Sequence, residues 1–212
     1  MQVTLKAITP NSEVNIVEIA RVSSTRTDKA EKPEGLINYL INNKHWSPFE
    51  HSFLTFEIVT SKAIGIQLLR HRSFTFQEFS QRYAKVENFE EFEIRRQADK
   101  NRQSSIDIFD PIITDTNASI EINKLLSSIK ILYNNLISHG VAKECARMIL
   151  PMCTQTTIYM TGSVRSWIHF LQIRDDAHAQ KEVQLIAKKM KNIFIDELPI
   201  ISSALNFEKY IQ

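Results

Sequence analysis

Three arginines fall within one short run, Arg70, Arg72 and Arg82 in RHRSFTFQEFSQRY, interleaved with Phe74, Phe76 and Phe79. Guanidinium groups that close together repel one another and cannot be stored in a dry core, so the fold must supply something anionic to face them. The phenylalanines pull the other way, because they would be wasted on a fully solvated surface. A strand-like segment and an apolar segment lead directly into the run. A chain carrying such a stretch has to bring its arginines to the rim of a hydrophobic core, which implies a built anion site rather than a solvated basic loop.

The rest of the chain narrows what the anion can be. Its 212 residues suit one domain spanning 1–212, and 43% apolar with 24% charged residues is ordinary for a globular protein. Lys+Arg 26 against Asp+Glu 24 leaves a net charge of +2. A near-neutral chain with a local arginine cluster suits a small anionic ligand better than a long polyanion. A module that clamps single-stranded nucleic acid is the rival, and Glu78 inside the run counts against it. The four glycines, at 35, 65, 140 and 162, form no phosphate-cradling loop, so arginine side chains have to do that work. Cys145 and Cys153 sit in apolar surroundings without metal-ligand spacing and read as reduced core thiols, with no metal expected. MQVTLKAITP lacks the features of a signal peptide and no apolar run reaches membrane-spanning length, so a cytoplasmic setting is expected.

Along the chain, alternation at Val3, Leu5 and Ala7 predicts an edge strand over 2–8, followed by a short helix around Val14–Val22. The polar segment SSTRTDKAEKPEG reads as a loop and Leu36–Ile41 as a helical turn or two. HWSPFEH, residues 45–51, is a loop rich in functional side chains. FLTFEIVT reads as a strand buried on at least one face. Ser61 then caps a helix through Leu69 that places Arg70 at its C-terminus, with Gln67 on the same face. The mixed stretch 84–117 is predicted to be a surface excursion with a strand at Phe92–Arg95. Ile122, Leu125, Leu126, Ile129, Leu132 and Leu136 mark a long core helix over Ser119–His139, capped by His139 and ended by Gly140. Val141–Leu150 is a shorter helix bearing Arg147, stopped by Pro151, and residues 152–161 read as a strand.

On a helical wheel for Ser163–His178, Arg165, His169, Gln172 and Asp176 share one stripe, opposite Trp167, Phe170 and Leu171. Arg174 falls among the apolar residues, where a guanidinium must either snorkel to water or meet a partner. Helix continues over 179–198, with Val183, Ile186, Ala187, Met190 and Phe194 as its core stripe. The expected architecture is α+β, a small, mainly antiparallel sheet flanked by long helices.

Arg70, His71, Arg72, Thr75, Ser80, Arg82 and Tyr83 are spaced as in the RHRxxSxxxxSxR signature, and the run resembles that of the flavin-dependent thymidylate synthases, the ThyX family. SPFEH, NRQSS, ECARMILP and VRSWIHFLQIRDDAHAQ extend the resemblance through most of the chain. Departures are Thr75, Gln77, and Ser163 where some members carry asparagine; a hydroxyl cannot reproduce a carboxamide's paired donor and acceptor. The resemblance implies a bound FAD reduced by NADPH, 5,10-methylenetetrahydrofolate as carbon donor, conversion of dUMP to dTMP without a cysteine nucleophile, and a homotetramer with shared active sites. By the same resemblance Ser47, Glu50, Arg70, His71, Arg72, Glu78, Ser163, Arg165 and His169 contact the flavin. Gln67, Arg70, Glu78, Ser80, Arg82, Arg147 and Arg174 contact dUMP, and His45 helps position folate. Arg174 is the implied catalytic residue, placed beside the uracil ring to stabilise negative charge as it develops.

Overall fold

The computed structural model describes residues 1–23 and 32–211. Its first half runs β1 (Gln2–Ile8), α1 (Ser12–Ala20), α2 (Pro33–Asn42), β2 (Phe53–Ser61), α3 (Lys62–Leu68), β3 (Thr75–Glu78), β4 (Arg95–Gln97) and β5 (Ser105–Ile108). The second half runs β6 (Ile112–Ile113), β7 (Thr116–Asn117), α4 (Ala118–Ser138), α5 (Lys143–Ala146), β8 (Gln155–Ser163), α6 (Val164–Arg174), α7 (Lys181–Glu197) and α8 (Pro199–Ala204). Short 3-10 turns cover Arg21–Ser23, Ser47–His51 and Arg147–Ile149.

β-Branched and aromatic alternation makes β2 a strand with one buried face: Leu54, Phe56, Ile58 and Thr60 are buried while the residues between them are not. The main sheet has the order β1-β2-β8-β3, so β1 is the edge strand that the sequence predicts. Thr55 meets Thr161 at 2.9 Å and Glu57 accepts from Tyr159, so numbering rises along β2 as it falls along β8, and the pair is antiparallel. The hairpins β4/β5 and β6/β7 are also antiparallel.

Two compact units result. The first comprises Gln2–Ile58, Leu69–Gln77 and the chain from Tyr159 onward. Its core is the stripe of α7, where Val183, Ile186, Ala187, Met190 and Phe194 are all buried, against α6, α8 and β1. Glu13 of α1 accepts the backbone N–H of Ile201 at 2.8 Å, and burial raises its carboxyl pKa. Trp167 of α6 donates its indole N–H to Leu54 O at 3.1 Å, which ties the helix to β2.

The second unit comprises Met1, Val59–Leu68 and Glu78–Ile158. Asp110 opens α4 by accepting from the N–H of Ser119 at 2.9 Å and from its hydroxyl at 2.6 Å. Gly140, at φ 83, lies just past its end, where the His139 ring lies 2.8 Å from Asn135 O. The expectation of a core helix is corrected here, because only Ala118 and Tyr133 of α4 are buried. Leu125 is 61% and Leu132 51% exposed. Helical spacing reveals an apolar stripe but not what covers it. A small core of Val86, Tyr133 and Ala146, joined by Phe79, Phe89 and Leu136, holds this unit together.

Other boundaries shift for local reasons. Pro33 opens α2 at a position where its missing N–H costs nothing, so the polar loop is shorter than expected, and its residues 24–31 lie outside the described set. Ser61 ends β2 instead of capping α3, and the strand expected over 152–161 starts at Gln155, after a turn. The strand expected at Phe92–Arg95 lies at Arg95–Gln97, and α6 ends at Arg174 rather than His178. Cys145 is exposed, not a core thiol. Cys153 is half-buried, and that burial pushes its thiol pKa up.

Candidate functional site

In the first unit, α6 organises the chemistry. Ser163 caps it, accepting the N–H of Ser166 at 3.3 Å, and donates its hydroxyl to Glu50 at 2.5 Å. Glu50 also receives Arg165 at 2.9 Å, so one carboxylate ties the 47–51 turn to the start of the helix. Ser166 reaches across to Ser73 O at 3.2 Å and anchors the loop that carries the arginine run. The same loop drives Phe74 into the core beside Trp167, ring centroids 4.6 Å apart. That packing needs a bare backbone opposite: a Cβ on Gly162 would stand 2.4 Å from the Phe74 ring.

At the other end of α6, Arg174 donates its Nε–H to His71 Nε2 at 2.8 Å. An imidazole nitrogen that accepts from a guanidinium is unprotonated. Burial among Phe74 and Phe170, with the Arg174 and His169 charges beside it, lowers the His71 pKa from 6.5 to about 4. His71 is therefore neutral at physiological pH. The Nη groups of Arg174 have no partner among the described residues, so the guanidinium is fixed at one edge and free at the other. Arg70 and Arg72 are exposed and likewise unpartnered among those residues. Ser47, His169 and His45 are exposed too, His45 standing edge-on to Tyr39 at 5.7 Å.

The second unit has its own polar cluster. Glu78 Oε1 accepts from Lys62 Nζ and from Thr156 Oγ1, each at 2.8 Å. Ser80 opens a tight turn, its carbonyl accepting the N–H of Tyr83 at 3.1 Å and of Ala84 at 3.0 Å. Arg82 pairs with Glu144 at 3.3 Å across an exposed surface, whereas Arg147 has no partner among the described residues. Gln67 is half-buried on α3.

A family model described as "Thymidylate synthase complementing protein" matches residues 4–200. A probable flavin-dependent thymidylate synthase of Paramecium bursaria Chlorella virus 1 is 46% identical over 198 residues, covering 92% of this chain and 91% of that protein. This chain belongs to the flavin-dependent thymidylate synthase family. A Synechocystis member is 43% identical, covering 91% of this chain and 88% of its own. Among solved structures, the UMP/dUMP methylase PolB from Streptomyces cacaoi, bound with 5-Br dUMP, superposes with a TM-score of 0.80 at 26% identity, covering 97% of this chain and 94% of that one.

The residues that the thymidylate synthase resemblance points to divide between the units. Glu50, Ser163 and Arg165 form one network at the start of α6, and His71 with Arg174 another at its end. Gln67, Glu78, Ser80, Arg82 and Arg147 belong to the second unit. Lys62 and Thr156, which clasp Glu78, escape a sequence reading, because Thr156 lies 78 positions from the carboxylate it serves. The sequence reading leaves the apolar-face Arg174 between snorkelling and pairing; the structure pairs it with a neutral histidine.

Proposed function

We infer that this chain is a flavin-dependent thymidylate synthase that carries out the reductive methylation of dUMP to dTMP, with 5,10-methylenetetrahydrofolate as carbon donor and NADPH as reductant. The observation that carries the mechanism is Arg174, oriented by a neutral imidazole and left with free N–H donors. A guanidinium fixed before substrate arrives stabilises charge developing on a pyrimidine ring without reorganising during the reaction. His71 suits its part because, uncharged, it does not repel Arg174.

The residues present fit FAD. Arg70 and Arg72 offer exposed guanidiniums, unpartnered among the described residues, for a pyrophosphate, and Arg165 and His169 lie on the solvent-facing stripe of α6. When bound, FAD would supply the hydride chemistry that completes the methyl group, with NADPH as the reductant. Ser47, Glu50, Ser163 and Glu78 are proposed to position it. Glu50 already spans the turn and the helix, and Ser163 provides a hydroxyl where an asparagine stands in some members. Gln67, Arg70, Glu78, Ser80, Arg82 and Arg147 are proposed to bind dUMP, the arginines taking its phosphate, and His45 to help place folate. The reading needs no thiol nucleophile.

One catalytic domain, 1–212, is supported by a family match that runs unbroken over residues 4–200. The exposed apolar stripe of α4 supports a homotetramer whose active sites draw on several copies. No helix among the described residues is long and apolar enough to cross a membrane, and a cytoplasmic enzyme with neither membrane nor nucleic-acid partner is proposed.

Arg174→Ala is expected to retain FAD and lose methyl transfer; dTMP formation near the wild-type rate would refute its catalytic assignment. Arg72→Ala should purify with less flavin, read from visible absorbance, and an unchanged flavin content would remove Arg72 from the cofactor site.

A further inference from the structure

The residue after Arg174 is electrostatically misplaced by its local context. Asp175 is the C-cap of α6, its N–H bonded to Leu171 O at 3.0 Å, at the end of a helix whose exposed carbonyls disfavour a carboxylate. It also adjoins the guanidinium that the proposed mechanism needs free of a protein anion. Asp176, the next acid, is engaged by the N–H and ring of His178. Asp175 is engaged by Lys191 of α7, in an ion pair whose side chains are only 14% and 16% exposed.

Such a pair is a weak source of stability, since apolar side chains of similar size serve a core as well. What it does provide is direction: a desolvated carboxylate stays where its cation stands. The cation is itself held. Lys191 lies on α7 with the Phe207 ring 5.7 Å from its ammonium. One residue along, Asn192 clamps the C-terminal segment, accepting the Tyr210 N–H at 2.7 Å and donating to Tyr210 O at 2.8 Å. Lys188 stands over the Tyr210 ring at 4.7 Å.

We propose that Lys191 is a positioning residue: by holding Asp175 it keeps that carboxylate off Arg174 and pins the last turn of α6, so that Arg174 meets His71 and leaves its Nη groups for substrate. This rests on the catalytic reading of Arg174. Without Lys191, the half-buried Asp175 carboxylate has one cation adjacent in the chain, Arg174 itself. Pairing there would occupy the Nη donors and turn the guanidinium away from His71.

The test is a double-mutant cycle on the full-length, flavin-loaded enzyme. Lys191→Met is expected to lower kcat for dTMP formation by about tenfold to a hundredfold while flavin content holds. Adding Asp175→Asn removes the misdirected charge and should recover most of that loss, and Lys191→Arg should stay near wild type. Followed by NMR, the His71 ring should titrate near 4 in the wild type and higher in Lys191→Met, where burial still lowers it but the Arg174 charge has turned away. Should the methionine variant fail to fold, Lys191→Gln carries the same comparison. An unchanged kcat in Lys191→Met, a double variant no faster than the single one, or an unmoved His71 titration would each overturn the proposal. Arg174→Ala at the wild-type rate would instead overturn the catalytic assignment alone, since the His71 titration reads the placement of Arg174 without any turnover.

Discussion

Helices α4 and α7 carry apolar stripes of the same helical period and meet opposite fates. Every stripe residue of α7 is buried within its own unit, whereas the α4 stripe buries none fully: Leu125 and Leu132 are exposed and Ile122, Leu126, Ile129 and Leu136 half-buried. Their caps do not explain the contrast, because α4 is the better capped, with Asp110 at one end and Gly140 at the other. What differs is the supply of covering elements: α7 has α6, α8 and β1 against it, while α4 has α5, two short strands and the Arg147–Ile149 turn. Exposed apolar residues from Ile120 to Leu132 suit another protein surface, and a further copy of this chain is the proposed one.

Substitutions on the two stripes should separate these roles. Leu125→Asp with Leu132→Asp is expected to leave each subunit folded by circular dichroism but dissociated in sedimentation velocity, with dTMP formation abolished if, as proposed, active sites draw on several copies. An intact oligomer would break the comparison. Phe194→Ala, on the α7 stripe, should instead destabilise the subunit by about 3–5 kcal/mol in denaturant unfolding, since Phe194 is wholly buried.

A smaller effect sharpens the picture inside the α6 cluster. Gly162→Ala sets a methyl against a Phe74 ring already enclosed by Trp167 and Phe170, and should cost about 1–3 kcal/mol. It should also disturb His71, which packs on the same rings. The smallest effect is a pH dependence. His71 binds its proton more weakly folded than unfolded, so its contribution is fully present above 6.5 and is lost as the pH falls from there through about 4. A His71→Gln variant, uncharged throughout, should show a shallower fall in Tm over that window; an identical slope would remove His71 as its source.

Much of the candidate site was legible because its residues lie close together in the chain. The arginine run pointed to the candidate anion site through charge density and interleaved phenylalanines, and its spacing matched a family signature. The pairing of those residues was not legible. Arg174 and His71 are 103 positions apart, Glu50 and Ser163 are 113, and nothing local tells a carboxylate which hydroxyl it will meet. Cys145 shows the same limit from the other side: an apolar neighbourhood in sequence became an exposed thiol, because its neighbours bury other faces of a short helix.

By itself the sequence determined the long helices and the main strands to within a few residues, and which residues carry charge, since period and spacing are properties of neighbouring residues. Only the tertiary structure decided that α7 closes a core while α4 stays open, that His71 is neutral, and that Lys191 answers Asp175. Those outcomes depend on burial and on partners brought together across the chain, and desolvation and ion pairing act through space, not along the sequence.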